Sequence, residues 1–159
     1  MQGRNIAELS RILEKELTAV KNLISLSLRK KECLLKSDHE NLAETVTEFE
    51  KELQKLLNME EERKKITVKV AKEYKMENPN LKEIIKIAGN EAERLEKIRN
   101  ELNSSLKKLT KINYDNAYLI SSHLSLLNEV INVIAKREEE VYSKSGKLKV
   151  ERNILEGKA

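Results

Sequence analysis

The side chains best suited to metal or nucleophilic chemistry are few in this 159-residue chain: one cysteine, Cys33, and two histidines, His39 and His123. A catalytic metal inside a helical bundle would need Glu-x-x-His pairs on facing helices. Lys36 and Ile120 occupy the positions three before the two histidines, so that arrangement is absent. There is no Cys–His cluster, no glycine loop of the phosphate-cradling kind and no nucleophile elbow. A single cysteine cannot form an internal disulfide, which suits a reducing compartment. The reading is therefore of a non-enzymatic protein with no metal and no cofactor, expected in the cytoplasm. Any function must come from a surface that binds another molecule.

Composition narrows the class further. Charged residues make up 36% of the chain, aromatics 3%, and there are four glycines, one proline and no tryptophan. That profile belongs to long helices rather than sheets. The net charge of +4 would suit a nucleic-acid partner, but its distribution does not. Residues 143–159 carry a net +3 and the helical body only +1, with both signs on every face. A duplex-binding module would gather Lys and Arg on one helix face. No stretch approaches the ~20 apolar residues of a membrane span, and the first residues, "MQGRNIAELSRILEKEL", lack the apolar core of a signal peptide.

Periodicity predicts an all-α fold, an elongated antiparallel bundle of three long helices. The first runs from about Arg4 to Lys36 along a stripe of Ile6, Leu9, Leu13, Leu17, Val20, Ile24, Leu28 and Leu35, with Cys33 off the stripe and partly exposed. In "KSDHENLAE", Ser37 with Glu40 matches a capping box and Asp38 is an equally good N-cap, so a sharp hairpin follows. The second helix continues to about Met76 along Leu42, Val46, Phe49, Leu53, Leu56, Val70 and Tyr74. Pro79, with Asn78 as cap, opens the third, which is the longest and can kink near Gly89 or at Asn103-Ser104-Ser105. At ~1.5 Å per residue the first helix is about 50 Å long and an unbroken third about 95 Å, so a hairpin of the first two covers about half of it. Residues 1–142 are expected to form the bundle domain and residues 143–159 a flexible basic tail.

One stretch differs from the rest: "NYDNAYLISSHLSLLNEVINVIAKREEEVY", Asn113 to Tyr142. On a helical wheel at about 100° per residue, Leu95, Ile98, Leu102, Leu106 and Leu109 lie within roughly 40° of Ile120, a narrow coiled-coil seam. After Ala117, Leu119, Leu126, Val130 and Val133 widen the apolar arc to about 200°, against the ~100° that a core-facing helix needs. Covering those four side chains would contribute about 1.5–3 kcal/mol each. Either the bundle's own helices cover them, or a partner's amphipathic segment docks there. Asn113 and Asn116 on the seam are expected to set register, and His123, amid the apolar face, to be an interior hydrogen-bonded histidine.

These parts resemble a family. "SDHENLAETVTEFEKELQKLLNMEEER" in the second helix, then "NYDNAYLISSHLSLLNEVINVI" and "VYSKSG", look like FlgN-type flagellar export chaperones. The matching pieces are Asp38 leading into Leu42, Glu62-Arg63, Asn113 and Asn116 before Leu119-Ile120, and Tyr142 ahead of Gly146. Ser143 departs from the pattern, which often has glycine directly after that tyrosine. The resemblance implies a cytoplasmic chaperone that binds hook-filament junction (hook-associated) proteins, keeps them unpolymerised and delivers them to the export gate. Its cargo face would comprise Leu119, Ile120, Leu124, Leu127, Val130, Ile131 and Ile134, joined by Leu126 and Val133 of the widened arc, and Tyr142 would face the export gate. The alternative is a structural coiled-coil adaptor that self-associates through the same face; a nucleic-acid binder driven by the basic tail ranks third.

Overall fold

A computed structural model describes residues 3–145, all in helices and the short turns between them. The order is α1 (Arg4–Lys36), α2 (His39–Glu73), α3 (Leu81–Ile87), a single 3₁₀ turn (Gly89–Glu91) and α4 (Ala92–Ser145). By internal contacts the chain divides into two units, Met1–Asn116 and Ala117–Ala159, and α4 contributes to both.

Local chemistry explains the boundaries. Ser37 takes a left-handed φ of 54° after α1, and the Asp38 N–H returns to the Cys33 carbonyl at 2.9 Å. That six-to-one bond is the Schellman closure that satisfies an orphan carbonyl. Asp38 then caps α2, its carboxylate accepting from the Asn41 N–H at 3.2 Å; of the two expected caps, this one operates. The same closure ends α2 earlier than the periodicity suggests. Lys75 has φ 52° and the Met76 N–H reaches the Ala71 carbonyl, so the last helical residue is Glu73 rather than Met76.

Two expectations for the third helix need correction. The cap is Asn80, whose Oδ1 accepts from the Glu83 N–H at 2.9 Å, and Pro79 precedes the helix instead of opening it. Asn78 is taken up by the turn, at φ 44°, a conformation its short polar side chain tolerates. The helix is also broken, not merely bent. Gly89 sits at φ 56°, the conformation that stops helices and favours glycine, so there are four helices where three were expected.

Within Met1–Asn116, α1 is the central helix. Interhelical bonds to α2 pair Asn5 with Glu73, Glu16 with Arg63, Asn22 with Glu52 and Arg29 with Glu48, which makes the two antiparallel. Bonds to the α4 side pair Ser10 with Glu91, Glu14 with Arg94, Lys21 with Glu101 and Ser27 with Asn113, which makes that pair parallel. Being flanked twice, α1 buries more than the single stripe read from its sequence: Ile12, Leu23, Leu26 and Leu34 join the core. Leu28 and Leu35, expected in the stripe, are 45% and 64% exposed. They point the same way round the helix as Leu17 and Ile24 but are covered only in part. On α2 only Thr45, Ile66 and Val70 are buried, with Phe49, Leu56, Met59 and Tyr74 partly covered; Val46 and Leu53 are exposed.

Polar groups fix the register. Asn116 is buried and its Nδ2 donates to the Ser27 carbonyl at 2.8 Å, while the Ser27 hydroxyl donates to Asn113 Oδ1 at 2.9 Å. Sliding α4 by one turn against α1 would strand these buried groups, each at a cost of about 1–3 kcal/mol. Glu16 is the other costly group. Its carboxylate, 8% exposed, accepts from Arg63 Nε at 2.9 Å. Burial pushes its pKa up, outweighing the downward pull of Arg63.

A raised carboxylate pKa means that the stability Glu16 contributes is fully present below about pH 4.3, the unfolded value, and is lost as pH rises through the folded value. Glu16→Gln keeps an acceptor for Arg63 without the buried charge. Thermal unfolding should show the difference in Tm between variant and wild type moving in the variant's favour from pH 4 to pH 7; a constant difference, or one moving the other way, contradicts this account of Glu16.

Candidate partner-binding surface

The helical part of the second unit is α4 from Ala117 to Ser145. From Ala117 to Ala135, five turns, it holds one charged residue, Glu129. Its straight-chain and β-branched apolar residues recur at helical spacing, and no glycine or proline interrupts them. At about 100° per residue they spread over roughly 200° of the circumference, and the remaining sector holds Tyr118, Ser121, Ser122, Ser125, Asn128, Glu129 and Asn132. That polar sector is therefore almost uncharged, a property the sequence shows plainly but which attention to the apolar arc alone passes over.

Ile120, Leu124, Leu126, Leu127, Val130, Ile131, Val133 and Ile134 are all exposed, between 44% and 60%. Leu119 is half-buried. Tyr142 lies on α4 by its backbone; its side chain falls outside what the structure describes, as do residues 146–159 of the basic tail. His123 is partly exposed on this same face, which corrects the expectation of an interior histidine. Upstream on the same helix the pattern is opposite: Leu95, Ile98, Leu102, Leu109 and Ile112 are buried in the core of the first unit. Leu106, expected among them, is 43% exposed. It lines a cleft of about 330 Å³ above Leu13 and Val20, between Leu56 and Arg63 of α2 and Leu102 of α4. The charges bordering that cleft are spent on each other or nearby: Glu16 and Glu60 on Arg63, and Arg99 on Glu96.

Among the described residues no group of three or more His, Cys, Asp or Glu side chains is placed to hold a metal ion, and no helix is long and apolar enough to cross a membrane. The described part of this surface gathers apolar side chains. What it offers is a helix with an uncovered apolar face, the geometry by which one amphipathic helix recognises another.

Fold and surface together define an all-helical protein whose last helix carries an uncovered apolar face. The chain belongs to the FlgN family: the family's sequence profile, described as FlgN protein, matches residues 1–149. This is a family of flagellar chaperones. No curated protein and no solved structure matches the chain.

The contrast along α4 has a thermodynamic signature. Leu95 is fully buried and Leu126 is 60% exposed. Leu95→Ala should cost about 2–5 kcal/mol in denaturant unfolding, and Leu126→Ala should stay within about 0.5 kcal/mol of wild type. A large loss at Leu126 would show that the isolated protein covers this face itself.

Proposed function

We propose that this protein is a cytoplasmic flagellar export chaperone that binds hook-associated proteins on the apolar face of α4 between Leu119 and Ile134. The binding keeps them unpolymerised until they reach the type III export gate. The observation that carries this reading is that eight apolar side chains of this helix segment stand exposed in a chain whose family consists of flagellar chaperones. Leaving such a face in water invites association, and an amphipathic helix of a cargo protein is its natural cover. Ordering a flexible cargo segment would cost about 2–5 kcal/mol or more of the interaction, which leaves a complex that can be released on delivery. An escort needs both tight capture and release.

Capture is tested with the C-terminal segments of hook-associated proteins in a pull-down. Leu127→Asp with Ile131→Asp should reduce capture at least tenfold while the helical circular-dichroism signal is retained; undiminished capture would exclude this face. Tyr142 is proposed as the contact to the export gate. Tyr142→Ala should then leave capture intact and lower secretion of the cargo, and normal secretion would remove it from that role.

A further inference from the structure

The protein contains its own calibration of how many neighbours a helix face can take. Helix α2, whose interhelical hydrogen bonds run to α1, keeps its core residues from Ile66 to Phe49 within an arc of about 100°, counted at ~100° per residue. Helix α1, flanked by α2 on one side and α4 on the other, is buried from Ser10 round to Leu26, an arc of about 200°. The Leu119–Ile134 segment of α4 repeats the second pattern. Ile120, Leu124, Leu127, Ile131 and Ile134 form one sector centred on the seam direction. Leu126, Val130 and Val133, with Leu119, form another beside it, and the exposed members of both sectors are uncovered to a similar degree. One docked helix would close one sector and leave the other in water.

We infer that the occupant of this face is a pair of helical segments from one cargo molecule, seated side by side so that α4 becomes the shared member of a three-helix unit, as α1 is in the first unit. The inference rests on the cargo-binding reading above and specifies it. The chemistry of the pair follows from the surface. With Glu129 the one formal charge between Ala117 and Ala135, and that in the polar sector, a Lys facing the apolar arc would lose its hydration with no ion partner in return, and a carboxylate would find only His123. The two segments therefore present apolar and small polar side chains inward and keep their charges outward. A second copy of this chain fits less well, because one partner helix of the same kind closes a single sector.

Leu124 and Leu126 discriminate sharply, since they stand two positions apart at nearly the same height on the helix and about 160° apart round it. A photo-crosslinking amino acid placed at each in turn, in the full chain co-expressed with a hook-associated protein, reports what lies over each sector. The expected products join Leu124 and Leu126 positions to two different segments of the cargo. Both positions reaching the same segment, or only one of them reaching cargo, overturns the paired occupant and leaves the cargo reading standing. If neither reaches cargo that is nonetheless captured, the face itself is wrong and both fall. Crosslinks from Leu126 to residues 3–116 of the same chain, or to a second copy, overturn the pair by naming another cover. As an independent measurement, Leu126→Ala with Val133→Ala should weaken capture at least tenfold, and unchanged affinity would overturn the proposal.

Discussion

Everything in the first unit depends on α1 being covered from two sides. A helix of its composition, standing alone, would expose Ile6, Leu9, Ile12, Leu13, Leu23 and Leu26 together, and no single neighbour can shade that much of its circumference. The antiparallel run of α2 and the parallel run of α4 meet that requirement in different ways. The α2 contact is stapled by exposed or half-exposed polar pairs such as Asn22–Glu52 and Arg29–Glu48, which contribute about 1 kcal/mol or less apiece. The α4 contact carries the bonds among buried Ser27, buried Asn116 and half-buried Asn113, where a slip in register is much more expensive. The α4 contact thus adds buried matching at Ser27, while α2 is held by apolar burial around Ile66 and Val70 and by the buried Glu16–Arg63 pair.

Much of this was legible in the sequence because helical spacing is a local property. The first helix was delimited from Arg4 to Lys36 from periodicity and the Ser37-Asp38 signal, and the structure places it there. Asn113 and Asn116 were expected on the seam as register-setting residues, and both bond to Ser27. What escaped were features that depend on neighbours. Ile12, Leu23, Leu26 and Leu34 were in plain sight, yet only a second flanking helix turns them into core. Leu28, Leu35 and Leu106 carry the right spacing but are covered only in part by their neighbours. Helix ends slipped for a different reason: Lys75 and Asn78 adopt positive φ without being glycine, and sequence gives little warning of that.

The break at Gly89 shows how a short irregular piece can serve the packing on either side of it. Helix α3 buries Ile84, the 3₁₀ turn presents Glu91 to the buried hydroxyl of Ser10 at 2.9 Å, and Arg94 in the next turn grips Glu14 through two bonds of 2.7 and 2.8 Å. Eleven residues separate Ile84 from Leu95, only about 20° of phase at ~100° per residue, and both stay buried on either side of the left-handed glycine.

The near absence of charge on α4 between Ala117 and Ala135 has a consequence for how any complex made there would respond to its surroundings. With Glu129 alone to be screened, ionic strength has almost nothing to act on. Temperature does, because removing apolar surface from water carries a large negative heat-capacity change. A grip of this kind holds through swings in cell salt and is undone by a rival that covers the same oily surface better, so hand-over becomes a matter of competition rather than of ions.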